Sequence, residues 1–136
     1  MASKSDYLEN KILDHVLSDG AFSEPANVYL ALTTATPTDA STGATLTEAN
    51  YTTYARVEML ATEFSAASSG SKTNTAAFTF PACTAGDDTI IGFAILDSAT
   101  LGAGNILYWG TVTSKVIDTS NTPPTVAIGA LVITED

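Results

Sequence analysis

The sequence contains little of the chemistry on which most enzymes depend. Among its 136 residues it has one cysteine, Cys83, and one histidine, His15. A lone cysteine excludes an intrachain disulfide and cannot form a metal site by itself. We interpret Cys83 as a core side chain and His15 as a surface or helix-packing residue, because no nucleophile motif accompanies the histidine. The sequence therefore predicts no enzyme activity, no catalytic residue and no cofactor.

Positive charge is also scarce. Five basic residues stand against fifteen acidic ones, which gives a formal net charge of −10. Nucleic-acid binding depends on cations that neutralise phosphate, and anionic membrane surfaces attract basic segments, so we expect neither partner. Apolar runs are too short to span a membrane, and the N-terminus lacks the basic start and apolar stretch of a secretion signal.

One pair of carboxylates is a weak candidate for a metal site. Asp87 and Asp88 follow Gly86 in a predicted turn, and neighbouring acids in a loop can hold Ca²⁺. The spaced pattern of acidic residues that calcium loops use is absent, and an Asx turn is the simpler explanation of the pair. We therefore predict no metal ligand, and a cation at this pair stays open as the alternative.

The residues that replace charge are small and uncharged. Charged residues make up 15% of the chain, against roughly 25% in an average soluble domain, and Thr, Ala and Ser are abundant instead. Thr is favoured in strands. Charge is also depleted at the centres of protein interfaces. The composition therefore indicates a β protein, a surface that contacts another protein, or both.

The N-terminal segment has the pattern of an amphipathic helix at about residues 5–18. Ser5 or Asp6 can cap it, and Gly20 is suited to end it. Its apolar residues recur at helical spacing; they are Leu8, Ile12, Leu13, Val16 and Leu17. Because so short a helix is unstable alone, we expect its apolar face to pack on a sheet or on a neighbouring subunit.

The rest of the chain has the short, regularly spaced apolar runs of strands. They predict seven or eight strands, at residues 28–32, 51–60, 77–80, 89–96, 105–113, 115–117, 126–128 and 130–133. The run at 89–96 is apolar throughout, which is typical of a strand covered on both faces. Residues 37–50 and 65–75 are predicted to be polar loops. We predict an all-β fold, an antiparallel β-sandwich or jelly-roll-like arrangement, in a single domain at 1–136 with the sandwich at about 26–134.

Several segments together resemble small structural proteins of tailed phages and prophages. The segments that carry the resemblance are Ser5–His15, Pro25–Leu32, Phe78–Pro81, Gly92–Asp97, Gly104–Gly110 and Gly129–Thr134. They cover most of the chain. Such proteins include capsid decoration (cement) proteins and tail-fibre-like proteins, and the resemblance implies no catalytic motif.

The resemblance implies a virion protein made in the cytoplasm of a bacterial host. Our first hypothesis is a cement protein that binds the outer surface of the major capsid protein shell, where its acidic charge is kept away from packaged DNA. It would also bind itself, as a dimer or trimer. The alternative is a tail, tail-fibre or receptor-binding module that recognises a host surface. A lytic or carbohydrate-active enzyme is a third, weaker possibility.

We expect docking through two segments, residues 1–17 and the loop Pro37–Asn50. Lys4 and Lys11 give the first segment its positive charge, and tyrosines are favoured at interface centres. The candidate contact residues are Lys4, Tyr7, Lys11, Pro37, Asp39, Glu48, Tyr51 and Tyr54.

Overall fold

The structure, a computed structural model, describes residues 2–17 and 20–135. Within these ranges it contains one α-helix, α1 (Asp6–Val16), and a short 3₁₀ turn at Ala61–Glu63. The same ranges contain nine strands: β1 Ala2–Lys4, β2 Val28–Thr33, β3 Val57–Met59, β4 Ser71–Thr73, β5 Phe78–Thr79, β6 Asp88–Leu96, β7 Ile106–Ile117, β8 Thr125–Val126 and β9 Val132–Thr134.

The strands form one large sheet and two small ones. The large sheet has the order β1-β7-β6-β2-β3, and the small sheets are the pairs β4-β9 and β5-β8. All pairings are antiparallel. The predicted all-β antiparallel sandwich with one N-terminal helix is confirmed, and a jelly-roll-like strand order stays a prediction.

The main core lies between the large sheet and the two small ones. Leu30 and Ile95 from the large sheet belong to the same buried cluster as Phe78 and Phe80. Full burial of such a side chain stabilises the fold by about 1.5–3 kcal/mol. Packing of the large sheet against the two small ones, in addition to hydrogen bonding, therefore holds the strands together.

The opposite face of the large sheet has its own smaller core. Ala31, Ala94, Leu96 and Ile106 are fully buried there, with Leu46 and Trp109 packed against them. Leu46 comes from the segment between β2 and β3, which covers this face. Strand β6 thus has buried residues on both sides, as its continuous apolar run predicts.

The predicted strands differ from the structure in their extent, and three of them differ most. The predicted strand at 51–60 is reduced to β3, because Tyr51–Tyr54 forms a turn in which Thr53 adopts a left-handed backbone. The predicted strands at 105–113 and 115–117 are parts of one strand, β7. The short strand β1 was missed, since three residues cannot display a periodic pattern.

The predicted loop at 65–75 is also wrong in part. It contains β4, which pairs with β9, and it contains Asn74, which is 1% exposed. The Asn74 side chain donates to the carbonyls of Ala76 and Ala127 and accepts from the Leu131 amide. A polar residue is buried here because its amide hydrogen-bonding groups have partners.

Candidate docking surface

The start of α1 is fixed to the large sheet through Ser5. Its backbone N–H donates to the Leu107 carbonyl at 3.1 Å, and its hydroxyl donates to the Ile106 carbonyl. The same hydroxyl accepts from the Leu8 amide, which confirms Ser5 as the N-cap. One buried serine therefore both starts the helix and joins it to β7.

The apolar residues of α1 divide between the core and the surface. Leu8 is buried and Ile12 is half-buried, so the N-terminal half packs inward. Leu13, Val16 and Leu17 are 56%, 67% and 74% exposed. Their spacing places them on one side of the helix, and we call these three residues the helix flank. The predicted end of the helix at Ser18 lies outside the described residues.

Two of the predicted contact residues lie on this helix. Lys11 is exposed, and its ammonium group lies 6.0 Å from the centre of the Tyr7 ring. Tyr7 is half-buried and, with Phe22, Pro25, Asn27 and Tyr29, lines a surface depression of about 300 Å³.

His15 accepts a hydrogen bond from the Phe22 amide, which holds the segment after the helix against it. His15 thus has the packing role that the sequence predicts.

A second and larger cavity lies beside this segment, between the large sheet and the β4-β9 pair. Its volume is about 430 Å³, and its walls are mainly apolar. Among the lining residues are Met59, Phe64, Ile95, Leu107, Tyr108 and Ile133. We call it the apolar cleft. Sequence patterns did not reveal it, because its walls come from strands that are distant along the chain.

Charged side chains surround the mouth of the apolar cleft. Lys4 donates to Glu135 at 2.6 Å, and the Tyr108 hydroxyl donates to the same carboxylate. Burial by itself raises the pKa of Glu135, but these two hydrogen bonds and the Lys4 charge lower it below its ordinary value. Burial raises the pKa of Tyr108, as does its bond to Glu135. Lys72 and Glu24 also line the cleft.

The segment Pro37–Asn50 is joined to the sheet at several points, which the polar-loop prediction did not foresee. The Asp39 carboxylate accepts from the Trp109 indole at 3.1 Å, and the Asp39 carbonyl accepts from the Asp6 amide. Pro37 is buried beside Gly92. Gly43 donates to the Gly104 carbonyl at 2.9 Å. Of the predicted contact residues here, Asp39 is exposed and Pro37 is not.

Glu48 and Tyr54 belong to a buried network rather than to an accessible surface. The Arg56 guanidinium donates two hydrogen bonds to the Glu48 carboxylate, one from Nη2 at 2.5 Å and one from Nε at 3.0 Å. Its third nitrogen, Nη1, donates to the carbonyls of Ser98 and Ala103. The Tyr54 hydroxyl donates to Glu48, and burial raises its pKa. These side chains are largely buried, and their polar groups are already engaged with one another.

Tyr51 is likewise part of the core, at 2% exposure. Its hydroxyl donates to the Pro81 carbonyl, and burial raises its pKa to about 12, with smaller contributions from Cys83 and Asp88. The Asp88 carboxylate accepts from the amides of Asn50 and Tyr51 at 2.6 and 2.7 Å. Asp88 is therefore occupied in fixing a turn. Cys83 is buried, as predicted.

Residues 2–17 and 20–135 contain no group of three or more His, Cys, Asp or Glu side chains placed to hold a metal ion. No helix in these ranges is both long and apolar enough to cross a membrane.

Comparison with known proteins identifies the family. No curated protein matches the chain. Residues 3–134 match the family described as podophage GP4 fiber I protein gp80. The matched range includes α1 and most of every sheet described above. The chain therefore belongs to the podophage GP4 fiber I protein gp80 family and is a fibre-like structural protein of tailed phages.

Proposed function

We propose that this chain is a non-enzymatic component of a phage tail fibre that acts by docking onto another protein chain of the virion. The observation that carries the proposal is the match of residues 3–134 to a family described as a fiber protein. The predicted fibre alternative is thus favoured over the cement hypothesis.

The shape of the fold indicates which part of a fibre it forms. Residues 2–17 and 20–135 make a two-layered sandwich, and within them no elongated repeat is present that could serve as a shaft. Shafts extend by stacking repeated units, each contacting its neighbours. We therefore assign this chain to a globular unit at an attachment point or tip.

Docking is proposed at the end of the molecule that carries α1. The helix flank leaves three large apolar side chains in contact with water, and an amphipathic helix commonly binds a partner by laying such a face into a groove. Lys4, Tyr7, Lys11 and Asp39 are the predicted contact residues that lie near this end and are at least partly exposed.

The capsid cement role is the second candidate, and the net charge favours it. A charge of −10 would be repelled by packaged DNA and suits the outer surface of the major capsid protein shell. A shell also multiplies weak contacts, so each copy can bind modestly and still be retained.

Copy number and position on the particle distinguish the two roles. Phage would be grown with a tagged copy of the chain, imaged at low resolution, and its proteins quantified against the major capsid protein. We expect label at the tail and, at most, dozens of copies. Label spread over the shell with hundreds of copies would overturn the fibre role and support cement. Absence of the chain from purified particles would overturn both.

A separate assay addresses the non-enzymatic part of the proposal. The purified chain would be incubated with host cell wall and with host surface polysaccharide. We expect no turnover. Turnover that is lost when a single carboxylate is replaced by its amide would contradict the proposal.

A further inference from the structure

The helix flank and the apolar cleft are complementary features of one chain. The flank presents Leu13, Val16 and Leu17 to water. The cleft offers an apolar volume of about 430 Å³, which is in the range of roughly 300–1,000 Å³ known for small-molecule pockets. In α1, Leu8 packs inward, so the flank points away from its own core. Both features are apolar, so burying one against the other would remove apolar surface from water.

Charge is distributed in the same complementary way. The helix carries three carboxylates, Asp6, Glu9 and Asp14, against one lysine. Only five basic residues occur in the chain, yet Lys72 lines the cleft and Lys4 pairs with Glu135 at its mouth. Glu24 also lines the cleft, so its two lysines are balanced by two glutamates, in a chain whose net charge is −10. The helix, by contrast, carries an excess of carboxylates over lysine.

We infer that the helix flank of one copy docks into the apolar cleft of a second copy, with Asp14 facing Lys72 across the contact. This inference rests on the proposed function, since it names the partner that binds at the α1 end. Asp14 adjoins the flank along the helix, and Lys72 lies above the Phe64 ring of the cleft, 5.9 Å from its centre. Burial of apolar area drives the association, and the charges set its orientation.

The position of the two features indicates reciprocal docking. Residues 25–27 line both the depression beside Tyr7 and the apolar cleft. Helix and cleft therefore both adjoin this one segment. A contact in which each copy gives its helix and receives the other's is a two-fold arrangement, which is the commonest symmetry of soluble oligomers. A dimer is the expected product.

The helix side is tested by sedimentation of the full chain over a range of concentrations. The wild type is expected to show a concentration-dependent dimer, and Val16→Glu with Leu17→Glu to sediment as a monomer. Ile128→Glu is the matched control, since Ile128 is 67% exposed, as is Val16, but lies between β8 and β9. A wild type that stays monomeric throughout overturns the inference. So does a dimer that survives the helix double variant, or one that Ile128→Glu disrupts equally.

The cleft side is tested by exchanging the charges. Lys72→Glu and Asp14→Lys are each expected to weaken the dimer about tenfold or more, with melting temperatures close to that of the wild type. The double variant Lys72→Glu with Asp14→Lys is expected to restore dimerisation. Single variants that dimerise normally, or a double variant that does not recover, overturn the pairing of helix with cleft.

These results can be separated from the fate of the proposed function. A chain that is monomeric in solution but present at the tail would overturn the inference and leave the fibre role standing. A chain that dimerises as described but is found over the capsid shell would overturn the fibre role and leave the contact between copies intact.

Discussion

The segment Pro37–Asn50 and the helix α1 both contact strand β7, yet they bury their side chains very differently. The segment contributes Pro37, Ala49 and the Glu48 ion pair to the interior. The helix buries Leu8 and leaves its last three apolar residues exposed. The polar segment is thus a structural part of the sandwich, and the apolar helix ends in a surface. Polarity along the chain is therefore a poor guide to which segment is available to a partner.

Removal of Arg56 should have the largest effect, because it breaks the network that holds the polar segment. Arg56→Met leaves the Glu48 carboxylate buried without its partner. Breaking a buried pair in this way costs about 3–5 kcal/mol of the free energy of unfolding, measured by urea denaturation. Adding Glu48→Gln to Arg56→Met should recover part of the loss, since it removes the unpaired charge. A loss below about 1 kcal/mol, the value of an exposed pair, would contradict this account.

Alkaline pH should weaken the fold through its buried tyrosine hydroxyls. Tyr51 has a folded-state pKa of about 12, raised from 10.0, and burial also raises the pKa values of Tyr54 and Tyr108. A raised pKa contributes stability that is complete below the unfolded-state value and is lost as pH rises toward the folded-state value. We therefore expect the free energy of unfolding to fall between pH 10 and about 12.

Urea denaturation at several pH values measures this decline, and tyrosinate absorbance shows which state has ionised. Tyr51→Phe is the control: it should make the decline less steep, because one late-titrating hydroxyl is gone. A free energy of unfolding that does not change across the window would refute the proposed burial of these hydroxyls.

Local patterns predicted the elements whose cause is local. The hydroxyl of Ser5 and the spacing of Leu8 and Ile12 define the helix, and the continuous apolar run of β6 defines a strand covered on both faces. In each case the residues that determine the element are neighbours in sequence. The helix with its N-cap and the sandwich were therefore predictable, and the ends of most strands were not.

The candidate site depends on contacts that no local pattern contains. Lys4 and Glu135 are separated by 131 positions, and the apolar cleft exists because β4 pairs with β9. Glu48 and Tyr54 were predicted to be accessible, since a carboxylate and a tyrosine near a polar loop are usually exposed. Only the position of Arg56 in the fold shows that they are buried together.

Gly43 offers a smaller perturbation of the polar segment. A Cβ atom at this position would lie 2.0 Å from the Ala103 carbonyl oxygen. The segment Pro37–Asn50 and the loop between β6 and β7 would therefore have to separate. Gly43→Ala should cost about 1–3 kcal/mol, as overpacking typically does. Gly20→Ala is the matched control beside the helix, because its nearest atom would be Asp14 Cβ at an ordinary 3.8 Å. Equal melting temperatures for the two variants would contradict the tight contact between the loops.

The smallest effect is expected on the helix flank. Leu13→Gln replaces a side chain that is 56% exposed with a residue of good helix propensity, so the free energy of unfolding of the monomer should change by no more than about 0.5 kcal/mol. Leu8→Gln, five positions earlier and 5% exposed, is the matched variant. It should cost about 2–5 kcal/mol, the range for truncation of a buried leucine, because it also places an amide in the core. Both are measured by urea denaturation at the lowest practical concentration, where self-association does not contribute. Similar losses of unfolding free energy at Leu8 and Leu13 would mean that the helix flank packs on the sandwich of its own chain. The contrast drawn between the helix and the polar segment would then be wrong.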